Sequence, residues 1–210
     1  MTFYDFAAPV YGIWAALVES RAHSLAKQAI LARAGRDLLE VAVGTGTEWG
    51  RFLADSGFKR CVGVDLSMGM LKRARKQLTA AQNKDALLCQ ADARALPFRT
   101  ASFDRLLNCY MIDLLPEAEI PIVMREFRRV LRADGHLVLV TMAEQKGAVQ
   151  TIWMALYRRA PLLVGQCRPV DAAKWLRASG WQVEREEPVS QIGFRSSLIV
   201  ARPGSAVAGR

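Results

Sequence analysis

The run Asp37-Leu-Leu-Glu-Val-Ala-Val43, followed at once by Gly44-Thr45-Gly46-Thr47, constrains this chain more than any other part of it. Mostly branched apolar residues, without the polar alternation of a half-exposed strand, describe a strand covered on both faces. Glycines directly after it allow a reversal and a close backbone approach to a ligand. A helix over about 47–55 then leads the chain away. The unit recurs: strands at Cys61–Asp65, Ala86–Gln90, Phe103–Tyr110 and His136–Met142 alternate with helices near 67–80 and 117–132. Such alternation implies a parallel sheet with helices on both faces. In the helix over 117–132, Ile122, Val123, Phe127, Val130 and Leu131 are expected inward, and Asp134-Gly135 makes the turn into the fifth strand. Arg125, Arg128, Arg129 and Arg132 are expected along a solvated side. After residue 170, a helix ending at Gly180 precedes strands near 181–187 and 194–201. No helical pattern separates these two, so they are expected to pair antiparallel.

At 210 residues the chain has room for one α/β domain with its own core. That domain is expected over 1–202, with N-terminal lid helices over 1–34, an inserted cap over 144–169 and a loose tail over 203–210. Hydrophobic residues make up 51% and charged residues 23%, an ordinary balance, whereas the net charge of +9 is not ordinary. The excess suits anionic partners, among them nucleic acid, anionic headgroups or an acidic substrate; it equally suits a self-repelling surface. Cys61, Cys89, Cys109 and Cys167 form no C-x-x-C pair, and only His23 and His136 could join them, so no metal site is expected. There is no signal-peptide pattern and no apolar run of the roughly 18–20 residues that span a bilayer. The expectation is a cytoplasmic protein that lies, at most, against the inner face of a membrane.

Ligand-type residues fall at three successive strand ends. Gly44, Gly46 and Gly50 have G-x-G-x-x-x-G spacing, unlike the dinucleotide-binding G-x-G-x-x-G. Asp65 ends the second strand, where an acid can accept hydrogen bonds from both ribose hydroxyls of a nucleoside. The alternative is an N-cap for the next helix, a role Ser67 could also fill. Asp92, in Ala91-Asp-Ala-Arg-Ala-Leu-Pro-Phe98, can accept from an adenine amino group between apolar neighbours, or can simply be a surface turn. Tyr110 and Asp113, after the fourth strand, are candidates to contact a substrate. Asp113 could take a proton or orient an amine or hydroxyl, or could cap the helix starting near Pro116.

LLEVAVGTGTEWG resembles the glycine motif of class I S-adenosylmethionine-dependent methyltransferases, and VGVDLSMGML resembles the acidic motif that follows it. QADARALPFRTASFD and REFRRVLRADGHLVLV are similar to later blocks of the type 11 branch, which methylates quinones, lipids and small metabolites. The resemblance covers about residues 35–142, with one departure at Ala42-Val43, where glycine-cysteine or glycine-valine is usual. It implies a Rossmann-like, seven-stranded, mostly parallel sheet in the order 3-2-1-4-5-7-6, strand 7 antiparallel, with an N-terminal helical lid. It implies S-adenosylmethionine as cofactor and S-adenosylhomocysteine as product. Glu40, Gly44, Thr45 and Gly46 would hold the methionine part, Asp65 the ribose, and Asp92 with Ala93 the adenine; Leu66 and Met70 would flank them. Asn108 would offer its backbone carbonyl to the cofactor's amino group. Tyr4-Asp-Phe-Ala-Ala-Pro-Val-Tyr11 resembles the lid of soluble bacterial phosphatidylethanolamine N-methyltransferases. This implies that Tyr4 and Tyr11 close over the cofactor and that Tyr11 helps position the substrate; two aromatics packing a lid helix are the plainer reading.

Within 144–169, Val149, Ile152, Trp153, Leu156 and Tyr157 share one helical face, followed by Arg158 and Arg159. The segment suits a cap over a greasy small-molecule site, a contact with an anionic membrane, or a helix packed on the core. The leading expectation is methyl transfer to a hydrophobic or amphipathic small molecule, such as a phospholipid amine or quinone precursor. Transfer to a soluble metabolite is the alternative. A nucleic-acid methyltransferase fits less well, since no RNA-binding module is appended and Asn108 is followed by Cys109-Tyr110 instead of Pro-Pro-Tyr. A cofactor-binding regulator without catalysis stands last, and the sequence leaves the oligomeric state open.

Overall fold

β1 (Asp37–Val41) requires cover on both sides: Leu38 faces one core, Leu39 and Val41 the other, and all three are buried. The computed structural model describes the chain apart from residues 1–19, 33–34, 48, 55–56, 82–85, 146, 191–194 and 205–210. Tyr4, Tyr11 and most of the expected lid lie outside the described residues. β1 pairs in parallel with β2 (Arg60–Asp65) and with β4 (Phe103–Cys109). β3 (Leu87–Gln90) extends the sheet beyond β2, and β5 (Leu131–Met142) extends it beyond β4. β7 (Arg195–Pro203) runs antiparallel between β5 and β6 (Trp181–Ser190). The order is therefore β3-β2-β1-β4-β5-β7-β6, as the resemblance implies. The chain reverses its direction of winding between β1 and β4, and open α/β sheets bind ligands outside the strand C-termini at such a point.

α1 (Ser20–Leu31), α2 (Trp49–Ala54) and α3 (Met68–Ala80) pack on one face, with Ala26, Ile30, Trp49 and Leu78 inside. α4 (Ile120–Val130) and α6 (Ala172–Ala178) cover the other. α4 buries Ile120, Val123, Met124, Phe127 and Val130 completely, a stripe spaced by threes and fours. This corrects the expected inward set: Ile122 is exposed, and Met124 takes its place. The helix also starts late, after a separate 3-10 turn at Glu117–Glu119. Pro121 is the reason, because proline is tolerated in a helix's first turn and disrupts its interior.

β5 begins at Leu131, earlier than expected. Phe103 pairs with Leu131 and Arg105 with His136, so Asp134-Gly135 lies in an irregularity of the ladder. The arginines nearby are not a merely solvated face. Arg132 bridges Asp37 at 2.9 Å and Asp104 at 3.3 Å. Arg129 donates to Glu126 and to the carbonyls of Leu96 and Phe98, and Arg128 to that of Gly204. β7 runs on through Pro203, opposite Trp181, and the Gly204 N–H donates to the Gly180 carbonyl at 2.9 Å.

Candidate functional site

The backbone leaves β1 through three left-handed residues: Ala42 (φ 61°), Gly44 (φ 58°) and Gly46 (φ 66°). For Ala42 this conformation is strained, and such strain clusters at ligand sites. The two glycines serve different ends. A Cβ on Gly44 would meet nothing within 4 Å, whereas one on Gly46 would lie 2.9 Å from the Cβ of Ala74 on α3. Gly44 lines a cavity of about 330 Å³; Gly46 lets the turn pack against the helix. Thr45 bonds Thr47 hydroxyl to hydroxyl at 2.8 Å and does not line the cavity.

Asp65 locks this turn to the end of β2. Its Oδ2 accepts from the Gly44 N–H at 2.9 Å and its Oδ1 from the Ser67 N–H at 2.8 Å. The N-cap of α3 is Ser67, whose hydroxyl accepts from the Met70 N–H at 3.2 Å. The Asp65 carboxylate, not required for capping, borders the cavity beside Leu66 and Met70. Asp92 and Ala93 join them from the end of β3. Hydrogen bonds from Arg94 hold the Asp92 carboxyl below the usual carboxylate range. Two acids, a turn left open by the missing side chain of Gly44 and apolar side chains between them form a set that fits a nucleoside with an amino-acid tail.

The opposite wall comes from the end of β4 and the turn after it. Met111, Leu114, Leu115 and Pro116 make it apolar, and Gln166 enters from the inserted segment. Tyr110 lines this end with φ 54°, a second strained residue. Its hydroxyl shares a buried 2.7 Å hydrogen bond with the Ser196 hydroxyl, and its ring lies 5.4 Å from that of His23.

Three expected site residues stand behind the cavity and do not line it. Asn108 is fully buried, and its Nδ2 donates to the Val41 carbonyl at 2.8 Å, tying the ends of β1 and β4. Glu40 is buried on the α1 side of the sheet, and desolvation raises its carboxyl to about 7 against the opposing pull of Lys27. Asp113 is 1% exposed; its Oδ2 accepts from the Met142 N–H at 3.2 Å, so it anchors the end of β5 and does not cap α4. Burial raises its carboxyl to about 7 as well, and its Oδ1 has no partner among the described residues.

α5 (Ala148–Arg159) does not present its apolar residues on one side. Trp153 packs against the core and donates its indole N–H to the Cys167 carbonyl at 3.0 Å, whereas Ile152 (62%) and Leu156 (40%) are exposed, as are Arg158 and Arg159. Arg168 then pins this segment to the cavity rim. Its backbone N–H donates to the Asp113 carbonyl and its Nη2 to the Leu115 carbonyl at 2.9 Å. Arg94, Glu119 and Gln166 are the charged and polar cavity residues that sequence reasoning passed over, as it did the apolar wall of Met111, Leu114, Leu115 and Pro116. Arg94 could have been suspected from its place two residues after Asp92; nothing local marks Glu119 or Gln166.

Residues 38–135 match the family model described as a methyltransferase domain. A ubiquinone/menaquinone biosynthesis C-methyltransferase of Paracoccus denitrificans is 34% identical, over 67% of this chain and 58% of its own length. A malonyl-[acyl-carrier protein] O-methyltransferase of Erwinia pyrifoliae is 33% identical, over 62% and 48%. A phosphatidylethanolamine N-methyltransferase of Cereibacter sphaeroides is 36% identical, over 60% and 61%. The chain thus spans about half to three-fifths of the length of these relatives, and their names specify carbon, oxygen and nitrogen acceptors respectively. The fold is shared with a putative methyltransferase of Bacillus halodurans, at a TM-score of 0.70 and 19% identity over 85% of this chain and 97% of that one.

Proposed function

We propose, from the premise that this chain carries a class I S-adenosylmethionine-dependent methyltransferase domain, that it transfers a methyl group to a hydrophobic or amphipathic small molecule. A phospholipid amine or a quinone precursor is the narrower reading. The observation that carries it is the division of one cavity into an acidic end, with Asp65 and Asp92, and an apolar end, with Met111, Leu114 and Leu115. Two of the named relatives, one a phosphatidylethanolamine N-methyltransferase and one a C-methyltransferase of ubiquinone/menaquinone biosynthesis, support the same choice.

When bound, the cofactor supplies a sulfonium whose methyl group is already activated for in-line transfer. The protein's share is placement, which can contribute much of the rate on its own. Asp65 accepts from the ribose hydroxyls, Asp92 and Ala93 meet the adenine, and Gly44 leaves space for the amino-acid tail. Glu40 and Asn108 stiffen the strand ends beneath. Met111, Leu114 and Leu115 exclude water and hold the acceptor's apolar part, while Tyr110 and Gln166 offer polar contacts. Asp113 acts through the turn it anchors, as a positioning residue. Tyr4 and Tyr11 belong to the same proposal as the covering lid.

The exposed pair Ile152 and Leu156, with Arg158 and Arg159 in the last turn of α5, supports a further element of this reading. Apolar insertion and attraction to anionic headgroups act together on such a helix, and would bring the cavity to its acceptor. No helix among the described residues is long and apolar enough to cross a membrane.

The purified chain should form S-adenosylhomocysteine from S-adenosylmethionine when given phosphatidylethanolamine vesicles or a demethylated quinone precursor in detergent. Mass spectrometry would follow the product against a panel of soluble amines and phenols. Turnover confined to the soluble panel would overturn the hydrophobic-acceptor reading.

A further inference from the structure

Asp92, Arg94 and Glu119 all line the cavity and form one line of charge along its adenine end. Arg94 donates to Asp92 Oδ1 from its backbone N–H at 2.9 Å and from Nε at 3.0 Å. It donates to Oδ2 from Nε at 3.1 Å and from Nη2 at 2.6 Å. The single Nε hydrogen is shared between the two oxygens, so three N–H groups of this one residue engage both oxygens of the carboxylate. The remaining arm of the guanidinium, Nη1, donates to Glu119 Oε1 at 2.9 Å, in the turn before α4. The cation therefore stands between two acids on different elements. The loop beneath is held independently of it: Glu126 accepts from the Leu96 N–H at 2.7 Å, and Arg129 donates to the Leu96 and Phe98 carbonyls.

An adenine amino group seeking Asp92 would find its acceptor already occupied. We infer that Arg94 is a latch on the cofactor site: it holds the Asp92 carboxylate while the site is empty, and moves its guanidinium onto Glu119 when an adenine amino group takes its place. The inference rests on the reading of Asp92 as the adenine acceptor. The movement is short, because the Glu119 contact already exists and only the Nε and Nη2 contacts must release. It is also inexpensive, because exposed ion pairs are weak and the Arg94 side chain is 44% exposed. In the empty site the pairing with Arg94 holds the Asp92 carboxyl below the usual carboxylate range. Arg94 and Glu119 thus become cofactor-site residues with opposite effects: one competes for Asp92, the other draws the competitor away.

Calorimetric titration with S-adenosylhomocysteine, which carries no net charge, tests this on the whole chain. Arg94→Met should bind about two- to fivefold tighter than the wild type, in keeping with the small worth of an exposed pair, and Glu119→Gln should bind weaker by a similar factor. Raising salt should tighten binding to the wild type by screening the latch, and should leave Arg94→Met unchanged. Equal or weaker binding by Arg94→Met would overturn the latch. Asp92→Asn separates the two readings: unchanged affinity in that variant rejects the adenine assignment itself, whichever way Arg94→Met moves. Thermal unfolding without ligand checks each variant's fold, and Arg94→Gln, also uncharged, repeats the comparison should Arg94→Met fail to fold.

Discussion

Asp113→Asn should abolish part of the pH dependence of stability. The Asp113 carboxyl rises from an ordinary 3.8 in the unfolded chain to about 7 when folded, because the cost of burial outweighs the hydrogen bonds from its own N–H and that of Met142 and the pull of Arg168. A raised acid binds its proton more tightly in the folded state. Its contribution is therefore most favourable below about 3.8, declines as pH rises through the interval, and is flat above about 7. At about 1.4 kcal/mol per pH unit, the whole interval corresponds to roughly 4 kcal/mol as an upper bound. About 2 kcal/mol of that falls between pH 5.5 and pH 8.5. Asparagine reproduces the neutral carboxyl in shape, and its carbonyl oxygen can still accept from Met142 N–H. Urea unfolding at the two pH values should show the wild type losing about 2 kcal/mol more than Asp113→Asn. Glu40, buried and raised to about 7, adds a slope of the same sign, so Glu40→Gln serves as the parallel control. Identical pH slopes for the wild type and Asp113→Asn would refute the buried, proton-binding carboxyl.

Asp65→Ala should weaken S-adenosylhomocysteine binding by about 1–3 kcal/mol through loss of charge-assisted hydrogen bonds, and an unchanged calorimetric affinity would reject the ribose assignment. Phe127→Ala, at the fully buried centre of α4, should cost about 3–5 kcal/mol in urea unfolding; a loss under 1 kcal/mol would mean that the α4 face repacks freely. The chain should sediment with anionic vesicles, less so at high salt and much less with neutral vesicles, and Ile152→Ser with Leu156→Ser or Arg158→Glu with Arg159→Glu should lower recovery. Equal recovery with anionic, neutral and no vesicles would sink the membrane contact. Trp153→Ala should reduce stability instead, since that ring packs inward and its N–H is bonded to Cys167.

The sequence by itself determined the strands and the residues at their ends, while the strand order came from the family resemblance. The first two follow from local rules: continuous apolar runs make strands covered on two faces, and glycine or aspartate directly after such a run marks the ligand edge of the sheet. Gly44, Asp65 and Asp92 were therefore legible, and the structure places all three on one cavity. Periodicity also identified α4, yet it set Ile122 inward, because a stripe read by spacing alone can rotate by one residue until packing selects Met124. Only the tertiary structure decided which polar groups turn toward the cavity and which are buried behind it. Asp113 and Tyr110 are three residues apart, but the turn between them sends one carboxyl to the end of β5 while the neighbouring ring lines the cavity. Trp153 and Ile152 are adjacent, and only contact with Cys167 separates the inward ring from the outward side chain. Glu119 and Gln166 reach the cavity from 27 and 74 residues beyond Asp92, counted along the sequence. Such convergence depends on how turns aim the chain and on which faces pack together, and neither is encoded in the spacing of residues along a single element.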